Sequence, residues 1–103
     1  EEGMWINGVE LPLDLYDLET AGRVQKALCN LSQELGALER KDVDWCESLR
    51  EQMGAICRFF DTAFGKGTAR RLFGRRQNLR SGYDAVNEFF RAFYEIRSRP
   101  DML

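Results

Sequence analysis

Few residues of this 103-residue chain are equipped for chemistry. Histidine is absent altogether, which removes the commonest metal ligand and the one side chain that titrates near neutrality unaided. The three cysteines, Cys29, Cys46 and Cys57, are an odd number with no close pair. Cys46 and Cys57 fall on what the pattern below makes a single helix, about 16 Å apart at the rise of an α-helix and too far to bridge. Free thiols in a reducing compartment are expected, and the spacing suits no zinc site. Gly65-Lys66-Gly67-Thr68 holds the ingredients of a phosphate loop in the wrong order, because a Walker A loop closes on consecutive Gly-Lys-Ser/Thr and follows a strand. Here a helical pattern precedes it, so the tetrad reads as helix punctuation. Acids are plentiful, yet none stands in an apolar setting that would raise its pKa for acid–base work. The expectation is a protein that is not an enzyme, with no catalytic, metal-binding or cofactor-binding residue and no cofactor.

Binding chemistry is what remains. Residues 66–80 carry Lys66, Arg70, Arg71, Arg75, Arg76 and Arg80 with no acid among them, whereas residues 1–65 hold 13 acids against 6 bases. Such a polarised chain can meet an acidic partner or an acidic helical face of a second copy, so a homo-oligomer is an expected state. The same arginines could neutralise phosphates, with Phe73 stacking on a base, which makes a small nucleic-acid-binding or regulatory helical module the alternative reading. Against it stand the formal net charge of −2 and a short glycine-bounded helix unsuited to a helix-turn-helix reader. Nucleic acid is therefore the disfavoured partner.

Hydrophobic spacing supplies the elements that position these residues. Asn7-Gly8 between short apolar stretches predicts a β-hairpin over Trp5 to Leu13, since both residues tolerate the positive φ of a type I′ turn. Val9, Leu11 and Leu13 share one face, and Pro12 confines its strand to an edge. A lone hairpin is marginal in water, so this one must dock on the helices or on a neighbour. Asp14 or Asp17 can cap a helix bearing Ala21, Val24, Leu28, Leu31, Leu35 and Leu38. A charged break at Glu39 to Asp42 leads to a second helix with Cys46, Leu49, Met53, Ile56, Phe60 and Ala63 in the same alternation of three and four. The two should pair antiparallel. Gly65 stops the second helix, and Gly67-Thr68 starts a short one near residues 68–73 that Gly74 ends. Asn78 caps a last helix with Leu79, Gly82, Val86, Phe89, Phe93 and Ile96, ended by Pro100. The fold class is mainly α (α+β): an N-terminal β-hairpin followed by a three- to four-helix bundle with a short glycine-bounded helix. Residues 4–103 form one domain, and residues 1–3, ahead of Met4, read as an expression remnant. No apolar run approaches the ~20 residues of a membrane span, and no signal-peptide pattern opens the chain.

Leu28, Ile56 and Val86 are expected in the core. Aromatic residues crowd the C-terminal half more densely than one small bundle should absorb. Phe59, Phe90 and Tyr94 lie beside the main stripe of their helices. Together with Arg70, Arg71, Arg75, Arg76 and Arg80 they form the candidate surface for a partner or for self-association.

From Phe60-Asp61 through Phe64-Gly65-Lys66-Gly67-Thr68, on to Leu72-Phe73-Gly74, Asn78-Leu79 and Asp84-Ala85, the sequence resembles a family of small proteins encoded in the tail modules of siphophages and prophages of Gram-positive bacteria. Ile6-Asn7-Gly8 and Leu15-Tyr16-Asp17 through Thr20-Ala21 extend the resemblance across nearly the whole chain. It implies a tail assembly chaperone, cytoplasmic in the bacterial host, that binds the tape measure protein and holds it soluble while tail tube protein is recruited.

Overall fold

The structure is a computed structural model describing residues 3–102. Residues Gly3–Ile6 (β1) and Val9–Pro12 (β2) form an antiparallel hairpin in which Met4 faces Leu11 and Ile6 faces Val9. Asn7 and Gly8 both take positive φ, 51° and 76°, as the two-residue turn requires. Pro12 pairs with Gly3 at the far end of the ladder, where its missing N–H costs no interior hydrogen bond. Of the expected remnant, Glu1 and Glu2 lie outside the described residues, and Gly3 belongs to β1.

Four helices follow: Leu18–Glu39 (α1), Trp45–Phe64 (α2), Thr68–Phe73 (α3) and Leu79–Arg97 (α4), then a 3₁₀ turn at Pro100–Met102. The chain is mainly α with a small β part. Of the two possible caps for α1, Asp17 acts, its carboxylate accepting from the Thr20 backbone N–H at 2.9 Å and from the Thr20 hydroxyl at 2.8 Å. These two bonds hold the Asp17 carboxyl below its ordinary range. Asp44 and Asn78 cap α2 and α4 in the same way, accepting from Glu47 N–H and Ser81 N–H. The short helix is capped differently. Gly67 precedes it and has no side chain to offer, so Asp61 of α2 reaches across and accepts from Ala69 N–H at 2.9 Å. Thr68 begins α3 and its hydroxyl donates back to Gly65 O at 2.6 Å. α3 is thus fastened to the end of the helix before it.

α2 is the central element. α1 covers one side of it antiparallel, with the Arg58–Glu34 and Lys41–Glu51 ion pairs along the seam. α4 covers another side, bringing Phe89 to 5.0 Å from Phe59 and 6.0 Å from Phe64. Both flanks of α2 are consequently buried, and Ala55, Ile56, Phe59, Phe60 and Ala63 belong to the core. Val86 is buried as expected, but Leu28 is only half-buried, because α1 turns it toward a groove and not onto α2. Cys46 is exposed instead of opening the α2 stripe.

The hairpin docks on the helices, with Met4, Ile6, Leu11 and Leu13 entering the common core. Its turn is pinned twice. Asn7 N–H donates to the Glu88 carboxylate of α4 at 2.9 Å, and the Asn7 side-chain amide donates to Leu72 O at the end of α3 at 2.6 Å. Asn7→Gly keeps the turn's backbone freedom and deletes only the amide. It should lower stability by about 1 kcal/mol in a denaturant titration, whereas a loss within error would mean that the turn is not an anchor.

Candidate functional site

Of several depressions beside α1, two bear on binding. One, of about 350 Å³, lies over the α1–α2 seam, where Asn30, Gln33, Glu34, Arg58 and Thr62 surround Ala27, Leu31 and Phe59. It is a polar seam already spanned by the Arg58–Glu34 pair at 2.7 Å. The other, of about 460 Å³, opens between the N-terminal half of α1 and the C-terminal half of α4. Ala21, Val24, Gln25 and Leu28 form one wall, Phe90, Phe93, Tyr94 and Arg97 the other, and Leu15 also lines it. Apolar walls with a few polar groups at the margin are the usual make-up of a binding cleft.

The aromatic wall is pre-ordered. Phe90 and Tyr94, one turn apart on α4, stack with centroids 6.0 Å apart and planes 18° apart. Phe90 in turn meets Phe89 of the core edge-on at 5.8 Å. Arg97 lays its guanidinium over the Phe93 ring at 5.5 Å, a cation–π contact that keeps a charge at the rim. Tyr94 remains 57% exposed and Phe90 half-buried. Tyr16, next to Leu15, donates its hydroxyl to the Asp101 carboxylate at 2.9 Å, tying the final 3₁₀ turn to the entry of α1. That hydrogen bond and the adjacent negative charge raise the Tyr16 pKa.

Of the expected aromatic surface, Phe90 and Tyr94 therefore come together on one groove wall, and Phe59 does not join them. Phe59 is 2% exposed and wedged between Phe60 and Phe89, with both centroids 5.0 Å away. A helix covered on two sides needs a buried arc wider than one stripe, and Phe59 fills the extra width. Periodicity along α2 alone shows the stripe but not its second neighbour. The groove residues of α1, Ala21 and Leu28, read as core in the sequence for the same reason. Their helical face is apolar whether it is covered or open.

The arginines form a separate surface. Arg70 and Arg71 stand exposed on α3, Arg75 and Arg76 on the link to α4, and Arg80 on its first turn; Lys66 is exposed beside them. None of the six has an ion-pair partner among the described residues. Phe73, offered above as a base-stacking ring, packs inward against Phe60 at 6.0 Å.

All three cysteines are free. Burial, with Asp61 nearby, pushes the Cys57 thiol up, away from the reactive thiolate. Among the described residues no cluster of acids and cysteines could hold a metal ion, and no helix is long and apolar enough to cross a membrane.

The groove, the hairpin anchor and the arginine strip all fall within residues 7–100, the span matched by the model of a family of unknown function, DUF6673. The chain belongs to that family. No curated protein and no solved structure matches it. The family description assigns no activity, so the groove and the arginine strip have to be interpreted from their own chemistry.

Proposed function

We propose that this protein is a non-enzymatic binding module of the tail assembly chaperone type, which holds a helical segment of a phage tape measure protein in the groove between α1 and α4. The observation that carries the reading is the open aromatic wall of Phe90 and Tyr94 facing Leu28 across an apolar cleft. A groove of this kind takes the apolar face of an amphipathic helix, with side chains at helical spacing as anchors. The resemblance to tail-module proteins supplies the partner, with tail tube protein as a further one, and with it the expected setting in a bacterial cytoplasm. Rigid stacked rings suit the task because they offer contact area at little cost in side-chain entropy.

Co-expression with a tape measure protein encoded by the same phage tests this directly. A soluble complex should be recovered by pull-down. Tyr94→Ala or Phe90→Ala should weaken it by about 1–2 kcal/mol while Tyr94→Ala leaves the melting temperature almost unchanged. A tape measure protein equally soluble alone, with none recovered in complex, removes the chaperone reading. The exposed, unpaired arginine strip favours a second reading, a nucleic-acid-binding module. Its signature would be oligonucleotide binding that weakens steeply with salt.

A further inference from the structure

Surface features outside the groove include the arginine strip and Trp45. Trp45 is the first residue of α2 and is 80% exposed. It sits at the N-terminal tip of α2, where residues 39–51 contain five acids against three bases. Two of those bases are already engaged, Lys41 with Glu51 and Arg50 with Glu47. Asp42 and Glu39 are exposed, and their carboxylates make no hydrogen bond or ion pair among the described residues. α2 has 20 residues, so its tip and the α3 helix that follows its other end are about 30 Å apart at helical rise. Arg70 and Arg71 therefore cannot reach Trp45 within one copy.

We propose that the Trp45 tip of one copy docks on the arginine strip of another, with Trp45 received by the guanidinium groups of Arg70, Arg71, Arg75 and Arg76. The occupant is a second copy because both complementary surfaces belong to this chain. Residues 1–65 carry 13 acids against 6 bases, and residues 66–103 carry 9 bases against 4 acids. Arginine over tryptophan is the most favourable of the cation–π pairings, and Asp42 can accept from the same planar groups that the indole stacks on. Because the two surfaces differ, the contact is head-to-tail and can continue from copy to copy into a ring or a filament. The inference does not depend on the groove, since partner pull-down and self-association are separate measurements.

Analytical ultracentrifugation over a wide range of protein concentration tests it. The wild-type mass should rise with concentration and fall back in ~1 M NaCl, where the Debye length is only ~3 Å. Trp45→Ala should weaken association by about tenfold or more, as loss of a central tryptophan anchor does. The variant Arg70→Ala/Arg71→Ala/Arg75→Ala/Arg76→Ala should behave likewise, with unchanged circular dichroism in both because the residues are exposed. Asp42→Lys, at an exposed position outside the helix, provides a second break on the acidic side. Mixing Trp45→Ala with the four-arginine variant leaves one intact pair of surfaces and should restore a 1:1 dimer that neither forms alone. A wild type that stays monomeric overturns the proposal, and so does a Trp45→Ala protein that associates like wild type or a mixture that remains monomeric. A monomer whose strip instead binds oligonucleotides, lost in the four-arginine variant, assigns the strip to a polyanion.

Discussion

Phe59→Ala should cost about 3–5 kcal/mol of folding stability, the range for deleting a buried aromatic ring and leaving its cavity. In a domain of this size that is a fall in melting temperature of roughly 12 °C or more. The ring is surrounded: Phe60 and Phe89 meet it edge-on from α2 and α4, and Ala27 and Leu31 of α1 share its outer rim. Three helices therefore lose contacts at once. Its helix neighbourhood and its position off the main stripe gave it the profile of an exposed partner anchor, and such an anchor would tolerate truncation with little loss of stability. Thermal melts of Phe59→Ala beside Tyr94→Ala separate the two roles in one experiment. A near-wild-type melt for Phe59→Ala would mean that α4 does not pack on α2 as described.

Gly82→Val should destabilise by about 1–3 kcal/mol through overpacking, although replacing a helical glycine normally raises helix propensity. A Cβ at position 82 would stand 2.8 Å from Met53 Sδ and 3.1 Å from Ile56 Cδ1, both on buried side chains of α2. α4 comes this close because position 82 has no side chain, and Val brings branches as well as a Cβ. Gly22, on α1, is the control, since a Cβ there meets nothing within 4 Å. Gly22→Ala should be neutral or stabilising by up to about 1 kcal/mol. Equal effects at the two glycines in urea titrations would contradict the close approach of α4 to α2. Nearby, Tyr83 donates its hydroxyl to Gln52 at 2.6 Å, and burial raises its pKa. The same contact surface therefore contains a polar lock as well as the tight glycine.

Local chemistry was sufficient for the hairpin and the four helices, though not for the closing 3₁₀ turn at Pro100–Met102. Asn7-Gly8 specifies a turn because few other residues accept its φ values, and the 3–4 spacing of leucines specifies helices because it places them on one face. Asp17, Asp44 and Asn78 mark helix starts because a short side chain can reach the free N–H groups. All of these act within a few residues of chain, so the sequence alone determined a hairpin followed by four helices, and also that no histidine chemistry is available. The arginine strip was equally visible, since its six cations fall within fifteen residues that contain no acid. Tertiary structure alone decided what an apolar face touches. Phe59 and Phe90 each lie one position off a stripe, yet one is core and the other lines an open groove, because α2 has neighbours on two sides while the outer flank of the far end of α4 faces the start of α1 across that groove. The cap of α3 by Asp61, the pinning of Asn7 by Glu88 and Leu72, and the need for glycine at position 82 likewise arise from residues far apart in the chain. Periodicity reports the direction in which a side chain points, and only the packed neighbours determine whether that direction ends in protein or in water.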